Sequence, residues 1–156
     1  MKLTSLDYHI IKLLNQDARM SSAQISRLLR IPERTARLHV NQLIENGIIK
    51  PIAVVNATHF GYELVVDIFC EVDITQREAV LNALKNMPEI SYLAFSTGDQ
   101  DLSIQALFKN SLSMHDFITR KLYQVPGIRR TRTVLVPQIL KDTYQWLPPQ
   151  EYSELK

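Results

Sequence analysis

Glu33, Arg34, Arg37, Asn41 and Gln42 fall within one polar stretch, PERTARLHVNQLIEN at residues 32–46. Their chemistry has a specific use. A guanidinium can donate two parallel hydrogen bonds to guanine, and a carboxamide pairs with adenine, both on the major-groove edge of DNA. Ser22, Arg27 and Lys50 flank this stretch and are of the types that touch phosphates, contacts that set register rather than sequence. The same residues would suit an ordinary solvated helix face, and the stretch by itself leaves both readings open. Other chemistry is thin. His9, His39, His59 and His115 lack metal-ligand spacing. No Gly-rich phosphate loop is present, and no nucleophile has a base at a recognisable spacing. The single cysteine, Cys70, rules out an internal disulfide, points to a reducing, cytoplasmic setting and reads as a small buried hydrophobe. No cofactor and no metal are expected.

A helix has to hold the polar set on one side. Ala36, Val40, Leu43 and Ile44 recur at i, i+4, i+7 and i+8, which predicts a buried stripe on a helix over residues 32–46. Pro32 suits its first turn, and Gly47 suits the left-handed position just past its end. Residues 23–29 read as a second, shorter helix capped by Ser21 or Ser22. The pair is a helix-turn-helix with residues 32–46 as the recognition helix. Thr4, with Asp7 as capping-box partner, opens a further helix whose stripe is Leu6, Ile10, Leu13 and Leu14. This third helix supplies the core that one short pair lacks.

Charge follows the same division. Residues 1–50 carry eight Lys or Arg against four acids, and the remainder carries ten against twelve. A basic front third joined to a mildly acidic remainder suits a phosphate-facing module attached to something else. At 156 residues and 46% hydrophobic, the chain can fill one or two small cores. The first residues do not read as a signal peptide, and no run of about 18 apolar residues exists to enter a membrane.

Beyond Lys50 the pattern changes. Residues 52–55 read as an extended connector, and Asn56 as the cap of a short turn. From Gly61 the period falls to two, placing Leu64, Val66, Ile68, Cys70 and Val72 on one strand face. Thr75, boxed with Glu78, is expected to cap a helix buried through Val80, Leu81 and Leu84. Strands over 90–97 and 102–108 flank a hairpin loop at 98–101. Ser113, boxed with Asp116, is expected to cap a helix with Phe117, Ile118, Leu122 and Val125 inward, and 128–136 is the last strand. The order strand–helix–strand–strand–helix–strand is the split βαβ sandwich. The fold class is therefore α+β: an N-terminal three-helix helix-turn-helix head joined to a ferredoxin-like βαββαβ domain. Expected bounds are 1–50 for the head, 51–60 for a linker, 61–142 for the second domain and 143–156 for a tail. One sheet face would carry both helices, and apolar positions on the other suggest a second subunit. Arg129, Arg130 and Arg132 alternate on the last strand, so they cannot all face one way. A ligand carboxylate, a subunit and water are the options for them.

The layout resembles the Lrp/AsnC, or feast/famine, family of transcriptional regulators over about residues 3–145. The resemblance rests on LTSLDYHIIKLLNQDARMS and LIENGIIK in the head, then FGYEL, STGDQDL and VPGIRRTRTVLV followed by LKDTY. It implies double-stranded DNA as partner, a homodimer that often assembles further to a tetramer or octamer, and a small-molecule effector, commonly an amino acid. It also implies that Gly98, Asp99 and Asp101, with Thr131 and Thr133, form the effector region, the two carboxylates being suited to an ammonium group. Three positions depart from the family pattern: Arg30 stands where Gly is usual, Pro32 where Ser is usual, and His39 where Arg is usual. A left-handed Arg30 would cost on the order of 1 kcal/mol. Two other readings stay open at this level. One is an enzyme resembling sirohaem decarboxylases, built on the same two-domain plan. The other is a ligand-sensing assembly protein whose DNA contact is vestigial.

Overall fold

The computed structural model describes residues 3–141, 144 and 146–149. The chain divides into two compact units, one comprising residues up to Val54 together with the chain from Leu140, the other Val55–Ile139. No helix among the described residues is long and apolar enough to cross a membrane.

The first unit holds α1 (Ser5–Gln16), α2 (Ser22–Leu29) and α3 (Glu33–Glu45). Thr4 caps α1, and Asp7 returns the bond to the Thr4 N–H at 2.8 Å, as the spacing predicts. Ser21, not Ser22, caps α2, boxed with Gln24. Ile10, Ile25, Ala36 and Leu43 are fully buried and come from all three helices. Pro32 lies one position before α3, and its carbonyl accepts from Thr35 and Ala36, so it begins the helix without a side-chain cap. The other end is a Schellman motif. Gly47 takes a φ of +68°, its N–H reaches the Ile44 carbonyl, and the Ile48 N–H reaches that of Leu43.

Ile44 is the exception to the expected stripe, with 40% of its surface exposed. One residue advances a helix by about 100°, so Ile44 lies well round from its buried neighbour Leu43. It lines an apolar groove with Tyr8, Ile11, Ile48, Trp146 and Leu147. The described end of the chain belongs to this unit, and the Tyr8 hydroxyl donates to the Pro148 carbonyl at 3.1 Å. Of the tail expected at 143–156, only residues 144 and 146–149 are described; the rest lies outside the described residues.

The second unit is built on β1 (Leu64–Val72), with α4 (Arg77–Lys85), β2 (Ile90–Phe95), β3 (Leu102–Phe108), α5 (Ser111–Arg120) and β4 (Ile128–Val136) following. The sheet is antiparallel in the order β2-β3-β1-β4, which is the expected ferredoxin-like arrangement. Val66, Ile68 and Cys70 pair with Ala106, Ile104 and Leu102, and these six side chains are buried beneath Val80, Leu84 and Phe117. Burial pushes the Cys70 thiol up to about 12. Gly127 is required where it stands: at φ +98°, a Cβ would lie 2.7 Å from that of Gln76 and 2.9 Å from a Val80 methyl.

Both expected caps move. Asp73 accepts from the Thr75 N–H and hydroxyl and opens a 3₁₀ turn over Ile74–Gln76, so Thr75 is a donor here and α4 starts later, at Arg77. Asn110 caps α5, with Ser113 as its box partner rather than the cap. In each case an Asp or Asn two or three residues upstream captures the backbone N–H first, with a side chain of a length well suited to it. The second strand stops at Phe95, two residues short of the expected 97. On the sheet face away from the helices, Val65, Phe69, Leu107 and Val134 alternate with Asp67, Glu71, Gln105, Arg130 and Arg132.

Candidate nucleic-acid interface and ligand region

Burial of Ala36 and Leu43 fixes the roll of α3. At about 100° per residue, Arg37, Asn41, Arg34 and Leu38 then follow one another round the opposite side, flanked by Glu33 and Gln42. Glu33, Arg34, Arg37 and Asn41 are exposed and Gln42 is half-buried. Arg34, Arg37 and Asn41 make no hydrogen bond or ion pair to another described residue. Leu38, 54% exposed in the middle of this polar arc, was not foreseen. The signal available for it was its position three or four residues from Arg34 and Asn41. An apolar side chain there matches the thymine methyl, the one apolar feature of the groove.

His39 takes no part in that face. Its Nδ1 lies 2.6 Å from Oδ1 of Asp7, which is fully buried, so the pair ties α3 to α1. Burial alone would raise the Asp7 carboxyl. Hydrogen bonds from His39 and Thr4 together outweigh burial and hold it below its ordinary value. Arg30 adopts φ +54° and ψ +45°, the left-handed conformation that the family's usual glycine accepts freely. The Ser26 hydroxyl donates to the Ile31 carbonyl at 2.5 Å and braces the turn.

The flanking candidates are dispersed. Ser22 stands in the first turn of α2, while the Arg27 Nε points back to the Ala23 carbonyl at 3.4 Å. Five residues separate them, about 140° round the helix, so only the end of α2 and one flank can meet a common surface. Lys50 is exposed beyond α3, at the rim of the apolar groove.

In the second unit, Asp99, Gln100, Arg130, Thr131 and Arg132 line a cleft of about 280 Å³. Of the expected effector residues, Asp99 and Thr131 meet there, and Gly98, at φ +136°, is in the same loop. Asp101 is engaged elsewhere: its carboxylate accepts from the Val72 N–H at 2.8 Å, and its backbone bonds to Cys70 and Ser96. It therefore closes the hairpin. Thr133, exposed on β4 opposite Ile68, does not line the cleft.

The three arginines separate by strand alternation. Arg129 pairs with Asp73 at 2.7 Å, and bonds from Thr75 and then from Arg129 hold the Asp73 carboxyl far below the carboxylate range. Arg130 lies 3.8 Å from Glu71, and the Arg132 guanidinium sits 4.8 Å over the Phe69 ring. The Gln100 amide donates to Glu71 at 3.5 Å, while its shielded oxygen has no partner among the described residues. Gln100, Arg130 and Arg132 thus join the cleft beyond the expected set. No group of three His, Cys, Asp or Glu among the described residues could hold a metal ion.

Comparison with known proteins gives each unit a counterpart. Residues 3–50 match a winged helix-turn-helix DNA-binding model, and residues 65–146 match the Lrp/AsnC ligand binding domain. An uncharacterised HTH-type transcriptional regulator of Pyrococcus abyssi is 33% identical over 145 residues, 92% of each chain. An HTH-type transcriptional regulator of Methanocaldococcus jannaschii is 33% identical over 141 residues, 90% of this chain and 95% of its own. Among solved structures, the L-Met complex of a Neisseria meningitidis transcriptional regulator superposes with a TM-score of 0.86 at 20% identity. That match covers 92% of this chain and 94% of the other, a likeness of fold. A DNA-binding head and a ligand-binding sheet domain in this order, matched nearly end to end by regulators of the same plan, make the chain a member of the Lrp/AsnC family of transcriptional regulators.

Proposed function

We propose that the protein is a sequence-specific DNA-binding regulator whose assembly or DNA affinity responds to an amino acid. The observation that carries the DNA half is the outer arc of α3: Arg34, Arg37 and Asn41 are exposed and make no hydrogen bond or ion pair to another described residue. In this reading Arg34, Arg37 and Asn41 contact bases, with Glu33 at the edge of the arc and Leu38 against a thymine methyl. Ser22, Arg27 and Lys50 hold phosphates. We assign DNA binding to residues 1–50 and effector binding and self-association to 61–142, joined by 51–60. A homodimer would set two recognition helices about 34 Å apart, one helical turn of DNA. The mixed apolar and charged face of the sheet is a surface on which such a dimer could form and build higher assemblies. Gly98, Asp99, Asp101, Thr131 and Thr133 frame the effector site, with Asp99 and Thr131 lining the cleft and the others shaping the loop and strand. A solved structural neighbour was determined with L-Met, which supports the amino-acid class. The reaction implied is binding alone, in the cytoplasm, rather than catalysis.

The test is a gel shift on the protein's own promoter region with excess non-specific DNA, with and without a panel of amino acids. A discrete shift that one amino acid alters supports both halves. An insensitive shift keeps the regulator and removes the amino acid. If no shift appears at low salt, the DNA reading fails, and tetrapyrrole titration then tests the enzyme alternative.

A further inference from the structure

We propose that the ligand taken by the cleft beside Asp99 is a dicarboxylic amino acid, aspartate or glutamate in charge and size. This inference rests on the effector reading above and concerns the same cleft. The lining consists of Asp99, Gln100, Arg130, Thr131 and Arg132, with no aliphatic or aromatic side chain among them. An amino acid with an apolar side chain would meet only the hydrocarbon stems of these polar side chains there, since the neighbouring Phe69 ring already carries the Arg132 guanidinium. The α-ammonium needs an acceptor, which Asp99 supplies. The α-carboxylate needs one guanidinium. The lining holds two, so one positive charge remains for a second carboxylate.

Neither guanidinium is consumed by the fold. The carboxylate nearest Arg130, that of Glu71, is 3.8 Å away, and the Arg130 side chain is 77% exposed, a loose surface pair that water screens. Arg132 lies over Phe69 at 4.8 Å, a contact that orients the guanidinium, and it makes no hydrogen bond to another described residue. Arg129 is held by Asp73 on the other side of the strand and adds no charge to the lining. At about 280 Å³ the cleft is near the lower limit of small-molecule sites, the scale of an amino acid rather than a nucleotide.

Isothermal titration of the full chain with aspartate, asparagine, glutamate, glutamine, leucine and methionine, at one ionic strength, tests this. Each acid and its amide are nearly isosteric, so their ratio isolates the charge. One acid should bind about tenfold to a hundredfold more tightly than its amide, as expected of a charge-assisted hydrogen bond. Arg130→Gln or Arg132→Gln should erase that preference, whereas Asp99→Asn should weaken every binder. Leucine, methionine or an amide binding more tightly in an Asp99-dependent way would overturn the dicarboxylate while keeping the effector site. Absence of binding by all six, and by the remaining amino acids, would overturn the effector site and this inference with it.

Discussion

Removing the Asp7 carboxylate should loosen the DNA-binding head without touching the sheet unit. In Asp7→Ala three hydrogen bonds vanish: from the Thr4 N–H at 2.8 Å, from the Thr4 hydroxyl at 2.7 Å and from His39 at 2.6 Å. Losing the back half of the capping box costs about 0.5–1 kcal/mol. His39 retains only 21% side-chain exposure, so stranding its donor costs roughly 1–3 kcal/mol. The sum, about 1.5–4 kcal/mol, is a large share of what a head this small holds in reserve. Urea denaturation followed by Trp146 reads this unit, since the chain's one tryptophan lines the head groove. The decisive comparison is the double-mutant cycle with His39→Ala. Removing both partners leaves no stranded group, so the pair should cost at least about 1 kcal/mol less than the sum of the singles. Additivity within about 0.5 kcal/mol would refute the tether. The pH dependence has a definite sign. The Asp7 carboxyl sits below its ordinary value of 3.8, so its contribution is whole above about pH 4 and is lost as pH falls through the lower folded value. Because the pair helps fix α3 against α1, Asp7→Ala should also weaken operator binding more than non-specific binding.

Further outcomes rest on the same geometry. Arg37→Ala should cost about 1–3 kcal/mol of operator affinity in a gel shift and relax preference at one base pair, whereas Lys50→Ala should weaken all sequences alike and lower the salt slope by about one. Arg30→Gly, which removes a side chain at φ +54°, should change the head's urea stability by less than about 1 kcal/mol, because relief of strain is offset by the freer unfolded chain. Gly127→Ala combines a positive φ with a 2.7 Å approach to Gln76 and should destabilise the sheet unit by about 2 kcal/mol or more in circular-dichroism melts. Cys70, fully buried with its thiol pushed up to about 12, should resist a disulfide reagent at pH 8 until the protein unfolds.

What could be read ahead of the structure, and what could not, follows the range of the forces involved. Repetition along the chain was legible: the period-two run from Leu64 to Val72 and the stripe through Val80, Leu81 and Leu84 record which side meets a core. So the order of elements and the sheet pairing could be inferred. Competition between adjacent polar groups was not legible. Thr75 and Ser113 are sound caps in isolation, but Asp73 and Asn110 accept from the N–H groups of these two residues and so begin the turn earlier, and only the backbone angles decide between the two arrangements. Contacts distant in sequence were the least accessible. His39 stands where the family usually has Arg, which puts a DNA contact in question. The structure supplies its other use, because Asp7 lies 32 residues earlier and no local pattern couples the two. The same applies to the cleft. Alternation on β4 says that Arg130 and Arg132 share a face, but only the register opposite Glu71 and Phe69 brings them to Asp99 across the sheet end. Asp101, close in sequence and identical in type to Asp99, is used up by the Val72 N–H. Two carboxylates in one loop therefore differ in place: one holds the hairpin in shape, and the other lines the cleft.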